Sequence, residues 1–171
     1  MDLEHFIRDV PDFPKKGIVF KDITPLLADA AALGLAIESM ARHAANHDVQ
    51  KVAGIESRGF IFGTAVAKEL GLGFIPIRKP GKLPWKKNRV EYELEYGTDA
   101  VEMHEDAVQP GERVMLVDDL LATGGTLAAS AELIESAGGV VVACSVLIEL
   151  AFLEGRKAVD GRSVFSLLSY E

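Results

Sequence analysis

The chain has 171 residues, 49% of them hydrophobic, which is enough to form one domain with a sizeable core. Its 26 acidic and 18 basic residues give a net charge of −8, which argues against broad binding to nucleic acid or membranes. No apolar run reaches the length of a membrane span, no signal-peptide pattern opens the chain, and the single cysteine, Cys144, lies in an apolar run, so we predict a cytoplasmic protein with a buried thiol.

The first residues are predicted to form an ordered flap. Residues 2–8 favour a short helix, whereas three prolines and a glycine exclude a regular helix from residues 10–27. This segment has too many apolar residues for a free tail, so it should pack against the chain, with a short strand at residues 18–20. Residues 1–28 are therefore interpreted as an N-terminal hood, or flap.

A helix is predicted next, over residues 30–46, with Asp29 as its N-cap. His43 and His47 stand four residues apart on it, a spacing that zinc ligands also use. No third ligand lies nearby in the sequence, so we interpret the pair as polar residues at the C-terminus of the helix.

The following segment combines a buried strand at residues 51–55, a polar turn at residues 56–59 and a helix at residues 60–70. The turn places Arg58 beside the start of the helix, where it would suit an anion. The alternative is a salt bridge between Glu56 and Arg58, and the sequence leaves both interpretations open.

A strand at residues 74–77 leads into a basic window and a hairpin. The window has six basic residues and no acid: Arg78, Lys79, Lys82, Lys86, Lys87 and Arg89. On an acidic protein this predicts a local anion site, the alternative being a solvated loop. Residues 90–96 and 98–104 alternate with period two, which predicts a hairpin with one solvated face. Residues 78–98 should form a flexible lid loop and hairpin.

The most informative stretch is residues 114–126. Four apolar residues form a predicted strand that ends at Asp118 and Asp119, a turn of small residues follows, and a helix begins near residue 127. In an open α/β sheet, ligands bind at this end of the strands, and a helix N-terminus suits a phosphate. The two acids can bind sugar hydroxyls or a divalent metal. This stretch therefore predicts a site for a phosphorylated sugar.

The chain ends with a strand at residues 140–149, a short helical piece at 152–156 and a strand at 164–168. Strands that alternate with helices predict an α/β fold, with a mostly parallel sheet flanked by helices on both faces. We predict a single domain over residues 1–171.

Residues 118–126, Asp-Asp-Leu-Leu-Ala-Thr-Gly-Gly-Thr, resemble the signature by which type I phosphoribosyltransferases bind 5-phosphoribosyl 1-pyrophosphate (PRPP). Further segments, in the same order, are similar to the adenine phosphoribosyltransferases of that family: residues 13–25, 56–60, 78–84, 94–97 and 165–171. The resemblance implies the type I phosphoribosyltransferase fold and the reaction of adenine with PRPP to give AMP and pyrophosphate in purine salvage. It also implies Mg²⁺ as cofactor and a homodimer.

The resemblance implies a set of PRPP-binding residues. The residues that cradle the 5′-phosphate are Ala122, Thr123, Gly124, Gly125 and Thr126. Asp118 and Asp119 bind the ribose hydroxyls. No residue is implied as a direct metal ligand, and Mg²⁺ carried by PRPP is expected near these two acids. Arg58 and the backbone of Ser57, where a strained or cis peptide is expected, meet the pyrophosphate. Lys79 and Lys82 add positive charge, and it stays open whether a neighbouring subunit supplies part of it.

Base binding and catalysis are implied in the same way. Phe20 stacks on adenine, and the backbones of Val19 and Lys21 read its edge; arginine is frequent at the position of Lys21. Glu95 is the implied general acid or base and, with Arg58, the implied catalytic residue. Two rival readings are a transferase for a 6-oxopurine and a non-catalytic PRPP-binding regulator. The flap and the C-terminal segment favour adenine, and the chain has no spare length for a DNA-binding extension.

Overall fold

The fold consists of nine strands and four α-helices within the described residues, 1–94 and 97–171, of this computed structural model. In chain order the elements are β1 (Arg8–Pro11), β2 (Val19–Asp22), α1 (Thr24–Ala28), α2 (Ala30–Ala44), β3 (Lys51–Ile55), α3 (Arg58–Leu70), β4 (Gly73–Ile77), β5 (Lys87–Glu93), β6 (Thr98–His104), β7 (Arg113–Leu121), α4 (Gly125–Ser136), β8 (Val140–Leu150) and β9 (Ser163–Tyr170). Short 3₁₀ helices cover Leu3–Phe6, Ala151–Leu153 and Gly155–Val159.

A five-stranded sheet in the order β4-β3-β7-β8-β9 forms the centre of the molecule. All of its neighbouring strands are parallel, which confirms the predicted parallel α/β sheet. In β7, Val114 and Leu116 pack into the core on one face, whereas Met115 and Val117 pack into the core on the other. The sheet is therefore covered on both sides, as an apolar parallel strand requires.

The two faces are covered differently. Helices α1, α2 and α3 pack on one face, and α4 packs on the other together with the antiparallel hairpin β5–β6. The predicted solvated face of this hairpin is correct only for β5, whose exposure alternates along the strand. In β6, residues 100–103 are all buried. This strand lies beside β4, the edge strand of the sheet, and also packs against α4.

The N-terminal residues form a small hairpin, β1–β2, whose neighbours Leu3, Ile23 and Leu26 are buried against the main body. The expectation that residues 10–27 contain no regular helix is wrong at its end, where α1 begins at Thr24. Pro25 lies in the first turn of α1, where the missing N–H of proline removes no helical hydrogen bond.

Helix α2 begins as predicted. The Asp29 carboxylate accepts hydrogen bonds from the N–H groups of Ala31 (3.0 Å) and Ala32 (2.9 Å). At its other end, the His43 ring stacks on Phe165 with 5.4 Å between ring centroids. No cluster of three metal-ligating side chains occurs among the described residues, and none of the described helices is long and apolar enough to cross a membrane.

Candidate active site

A cleft of about 340 Å³ opens at the carboxyl ends of β3 and β7. Parallel strands place their carboxyl ends at one edge of the sheet, so segments distant in sequence meet there. Of the residues predicted to bind PRPP, all but Lys82 line this cleft: Ser57, Arg58, Lys79, Asp118, Asp119, Ala122, Thr123, Gly124, Gly125 and Thr126.

Residues 122–126, here called the phosphate loop, connect β7 to α4. Gly124 caps α4 with φ of +86°, a conformation that suits glycine, and α4 begins at Gly125 rather than near residue 127. The first N–H groups of a helix have no partner within it, and the positive end of its dipole lies there. The phosphate loop therefore presents backbone donors to the cleft, which suits a phosphate.

The phosphate loop rests directly on the 3₁₀ segment Gly155–Val159. A Cβ atom added to Gly124 would lie 2.3 Å from the Gly155 carbonyl oxygen, and one added to Gly155 would lie 2.3 Å from the Ala122 carbonyl oxygen. Side chains are thus excluded from both surfaces, and the backbone of one segment supports the backbone of the other.

An ion pair between the exposed Arg156 and the buried Glu149 fixes this supporting segment. Arg156 donates two hydrogen bonds of 2.7 Å to the Glu149 carboxylate, one to each oxygen, and Ser166 donates a third of 2.6 Å. Arg156 also donates to the Val164 carbonyl (2.8 Å). The hydrogen bonds from Arg156 hold the pKa of Glu149 below its usual range. Nothing in the sequence pointed to this network, because Glu149, Arg156 and Ser166 occupy three separate segments.

Asp118 and Asp119 lie inside β7, which continues to Leu121, so the acids do not end the strand as expected. The Asp119 carboxylate pairs with the guanidinium of Arg58, and its N–H donates to Asp118 Oδ1 (2.8 Å). Burial and the negative charge of Asp119 raise the pKa of Asp118 well above its usual value. Burial lowers the pKa of Arg58, but the hydrogen bond to Asp119 and the nearby acids outweigh it, so the net pKa is raised.

The alternative salt bridge between Glu56 and Arg58 is wrong. Glu56 instead accepts from the Lys82 ammonium, from the Lys79 N–H (3.1 Å) and from Arg78 Nε (3.3 Å). Burial raises the pKa of Glu56, but these hydrogen bonds lower it more strongly, to about 2. The peptide bond between Glu56 and Ser57 is cis, as the resemblance implied.

The basic window meets acids from elsewhere in the chain. Lys79 pairs with Asp99, and Lys82 with Glu56, which keeps Lys82 out of the cleft lining. Burial lowers the pKa of Lys79, but the hydrogen bonds to Asp99 and Tyr92 outweigh this effect. The net pKa is raised, so the ammonium stays charged. Part of the window is thus paired with carboxylates that the fold supplies, at Arg78, Lys79, Lys82 and Arg89, whereas the exposed Lys86 and Lys87 lie where the loop enters β5.

A second, smaller cavity of about 110 Å³ adjoins the cleft. It is lined by the predicted base-binding residues Val19, Phe20 and Lys21, and by apolar residues that sequence reasoning missed: Ile18, Ile23, Leu120, Ile148 and Leu150. Arg58, Asp119 and Leu120 line both cavities, so the Arg58–Asp119 pair forms part of the wall between them.

Two residues of the second cavity, Phe20 and Lys21, are placed by contacts within the hood and with the main body. The Phe13 ring meets Phe20 edge-on at 5.2 Å, and the Arg58 guanidinium carbon lies 5.7 Å from the Phe20 centroid. The Lys21 ammonium contacts Asp9 (2.7 Å) and lies 3.9 Å from the Tyr170 ring centroid. The Lys21 ammonium is therefore held between the hood and the last strand.

Known proteins match this chain along nearly its whole length. The family model of the phosphoribosyl transferase domain matches residues 22–167. An adenine phosphoribosyltransferase from Halothermothrix orenii is 57% identical over 168 residues, which cover 98% of this chain and 99% of the relative. The chain belongs to the adenine phosphoribosyltransferase family.

Solved structures of this family share the fold. Adenine phosphoribosyltransferase from Thermoanaerobacter pseudethanolicus superposes with a TM-score of 0.96 at 54% identity, covering 98% of both chains. The enzyme from Saccharomyces cerevisiae, complexed with D-2,5-dideoxy-2,5-imino-altritol 1,6-bisphosphate and adenine, has a TM-score of 0.92 at 37% identity, with 96% of both chains covered. The type I phosphoribosyltransferase fold expected from the sequence is confirmed.

Tyr92, which contacts two residues of the cleft, was not found from the sequence. The Tyr92 hydroxyl lies 3.0 Å from the Lys79 ammonium and 3.1 Å from both Asp99 Oδ2 and Thr126 Oγ1. The alternation of β5 places Tyr92 on the packed face of the hairpin, but no local signal shows which segment it meets. Glu95, the implied general acid or base, lies outside the described residues, between the ends of β5 and β6.

Mg²⁺, which the resemblance implies, fits the oxygen donors of this cleft. Asp118 and Asp119 are the adjacent carboxylates that would hold it, and its charge would offset the burial and the repulsion from Asp119 that raise the pKa of Asp118. Mg²⁺ is commonly held by one or two carboxylates together with substrate phosphates, rather than by a cage of protein ligands.

Proposed function

We propose that this protein transfers the 5-phosphoribosyl group of PRPP to adenine, producing AMP and pyrophosphate in purine salvage. The observation that carries this proposal is the pair of adjoining cavities. One offers a phosphate loop, two acids and Arg58, and the other is mainly apolar and contains Phe20. The yeast relative, complexed with a bisphosphate and adenine, has ligands of both chemical kinds.

In this proposal each wall of the site has one task. The phosphate loop binds the 5′-phosphate, and Asp118 and Asp119 bind the ribose hydroxyls. Arg58, the Ser57 backbone and Lys79 meet the pyrophosphate, and Lys82 adds positive charge nearby. Phe20 stacks on adenine, and the backbones of Val19 and Lys21 select its edge. Substrate contacts must replace the ion pair between Arg58 and Asp119. This frees Arg58 for the pyrophosphate and Asp119 for the ribose hydroxyls.

The reaction breaks the bond between C1′ and the pyrophosphate oxygen, and the bonding electrons leave with pyrophosphate. N9 of adenine forms the new bond to C1′, and its proton passes to a base, for which we propose Glu95. Positive charge at Arg58 and Lys79 stabilises the leaving group, and the carboxylates of Asp118 and Asp119 stabilise the cationic sugar. Mg²⁺, when bound with PRPP at these carboxylates, would supply additional charge neutralisation for the pyrophosphate.

A single assay tests the proposed function. The protein is incubated with PRPP, Mg²⁺ and each purine base in turn, and nucleotide formation is followed by chromatography. We expect AMP from adenine and little product from hypoxanthine or guanine. Product from a 6-oxopurine but not from adenine would instead support the rival transferase. PRPP binding without turnover of any base would support a regulator.

Replacing both acids of β7 should weaken the binding of PRPP. Asn is close in size to Asp but removes the negative charge that accepts the ribose hydroxyls, so Asp118→Asn with Asp119→Asn should lower PRPP affinity at least about tenfold. Calorimetric titration measures this affinity, and Glu132→Gln, on the exposed side of α4, is the matched control. Wild-type affinity in the double variant would remove these acids from ribose binding.

We further propose a cytoplasmic homodimer. Membership in the family supports the dimer, and a single buried cysteine supports a reducing compartment. Because one chain has a mass of 18.4 kDa, light scattering after size exclusion should give about twice that value at concentrations where the protein is active. A monomer mass in an active sample would contradict the dimer.

A further inference from the structure

Tyr92 connects two residues of the cleft, Lys79 and Thr126, with Asp99 of the hairpin through one hydroxyl group. It is reached by the ammonium of Lys79 at 3.0 Å, by the carboxylate of Asp99 at 3.1 Å and by the hydroxyl of Thr126 at 3.1 Å. Asp99 lies directly opposite Tyr92 in the hairpin, whereas Lys79 follows β4 and Thr126 belongs to the phosphate loop. Tyr92 is thus a direct contact between the hairpin β5–β6 and the phosphate loop.

The ring of Tyr92 also covers the phosphate loop. A Cβ atom added to Gly125 would come within 3.5 Å of Cδ2 of Tyr92, so the ring lies beside Gly125 with room for little more than a methyl group between them. The ring of Tyr92 therefore lies against the phosphate loop close to the point where the Tyr92 hydroxyl meets Thr126. A movement of the hairpin away from the sheet would break both contacts together.

Hydrogen counting gives these contacts a direction. Lys79 can only donate, and the Tyr92 hydroxyl has one proton, which it can give either to Asp99 or to Thr126. Once the Thr126 hydroxyl donates its proton to a bound phosphate, its oxygen can only accept from Tyr92. A ligand phosphate thereby orders a chain of donors that runs from Lys79 through Tyr92 and Thr126 to the phosphate. Hydrogen bonds in such a chain polarise and strengthen one another.

We propose that Tyr92 is a positioning residue that couples occupation of the phosphate loop to the seating of the hairpin β5–β6 and to the placement of Lys79. This inference rests on the proposed function, because it takes the 5′-phosphate of the substrate as the ligand of Thr126. By linkage, a seated hairpin favours phosphate binding to the same extent that bound phosphate favours seating.

The first test removes a single oxygen atom. Tyr92→Phe keeps the ring against Gly125 but interrupts the donor chain, so the KM for PRPP should rise about five- to tenfold while the KM for adenine changes less than about twofold. Ser136→Ala is the matched control, because it removes a hydroxyl from the distant last turn of α4 and should leave both values unchanged. Equal effects on both substrates, or none on PRPP, would overturn the inference.

The second test measures the coupling itself. Ribose 5-phosphate supplies a phosphate without base or pyrophosphate, and at saturation it should slow amide hydrogen exchange in Lys87–Glu93 of the wild-type protein. Tyr92→Phe, saturated with the same ligand, should show little of this protection. Equal protection in both proteins, or none in a wild-type protein that calorimetry shows to be saturated, would overturn the inference. The proposed function fails separately, if the wild-type protein makes no AMP.

Discussion

Two residues at the end of β3 carry opposite charges, lie two positions apart and do not pair with each other. Glu56 pairs with Arg78 and Lys82 of the segment after β4, whereas Arg58 pairs with Asp119, 61 positions along the chain. This division leaves Arg58 at the wall between the two cavities. Glu56 also holds Lys82 outside the cleft lining, where its ammonium does not repel the Arg58 guanidinium.

The charge of Glu56 should contribute to stability in a defined pH range. Its pKa is lowered from 4.5 to about 2 in the folded protein, so its contribution is complete above about pH 5 and is lost as the pH falls towards 2. Glu56→Gln should therefore lower the free energy of unfolding by about 2 kcal/mol at pH 7, and by progressively less at pH 4 and pH 3. Urea unfolding at each pH measures the difference.

The exposed Glu132 provides the control for this prediction. Glu132→Gln should change the free energy of unfolding by less than about 0.5 kcal/mol at every pH. If the destabilisation caused by Glu56→Gln were the same at pH 3 as at pH 7, the paired charge would not be its cause.

At the scale of elements, the phosphate loop depends on the 3₁₀ segment Gly155–Val159, from which α4 and β8 separate it in the sequence. The loop has glycine at its own turn, but its support has glycine as well, at Gly155. The ion pair between Arg156 and Glu149 then ties this support to β8. Glu149 is the partner of Leu121, the last residue of β7, in the pairing of the two strands. Loop, support and strand end thus form one rigid unit.

Gly155→Ala tests this dependence. The added Cβ would lie 2.3 Å from the Ala122 carbonyl oxygen and 2.9 Å from Leu121 Cδ1, so the phosphate loop must move. The backbone at Gly155 is not in the left-handed region, so alanine meets only this packing conflict. We expect the KM for PRPP to rise at least about tenfold, because misplaced donors bind the phosphate poorly. Steady-state kinetics measures the change.

Gly34→Ala is the control for this substitution. Gly34 lies within α2, where an added Cβ meets no atom within 4 Å. Alanine there should raise the free energy of unfolding by about 0.5–1 kcal/mol and leave the kinetics unchanged. A wild-type KM for PRPP in Gly155→Ala would show that the phosphate loop keeps its shape without this support.

At the scale of the whole molecule, the sheet separates two cores of different construction. One core contains α1, α2 and α3, and the other contains α4 and the hairpin β5–β6. The second core is the one that places Tyr92 over the phosphate loop, so part of the active site is a consequence of how this face is covered.

Adjacent residues of β7 should show that both cores contribute to stability. Met115 and Leu116 are fully buried on opposite faces. Met115→Ala and Leu116→Ala should each lower the free energy of unfolding by about 2–5 kcal/mol, measured with urea. Val140→Ala, at the exposed start of β8, should cost less than about 1 kcal/mol. A small effect at either position of β7 would mean that the corresponding face contributes little.

Much of the fold follows from local patterns. Apolar runs and glycine turns predicted the parallel sheet, Asp29 was recognised as a helix cap, and the phosphate loop was recognised from its small residues. These features depend on residues close to one another in sequence, such as Asp29 and the two N–H groups that it caps. Boundaries were less accurate, since β7 continues through both acids to Leu121.

The sequence by itself determined the family, through the resemblance of its motifs. It also determined the fold class and the residues of the phosphate loop, because glycine turns, helix ends and apolar runs are local properties. Only the tertiary structure decided that Arg58 pairs with Asp119 instead of Glu56, that Lys82 turns to Glu56, and that Tyr92 meets Thr126, 34 positions away. A charged or hydroxyl side chain has several possible partners of similar energy, and the partner it binds is the one that the packing of the sheet places within reach.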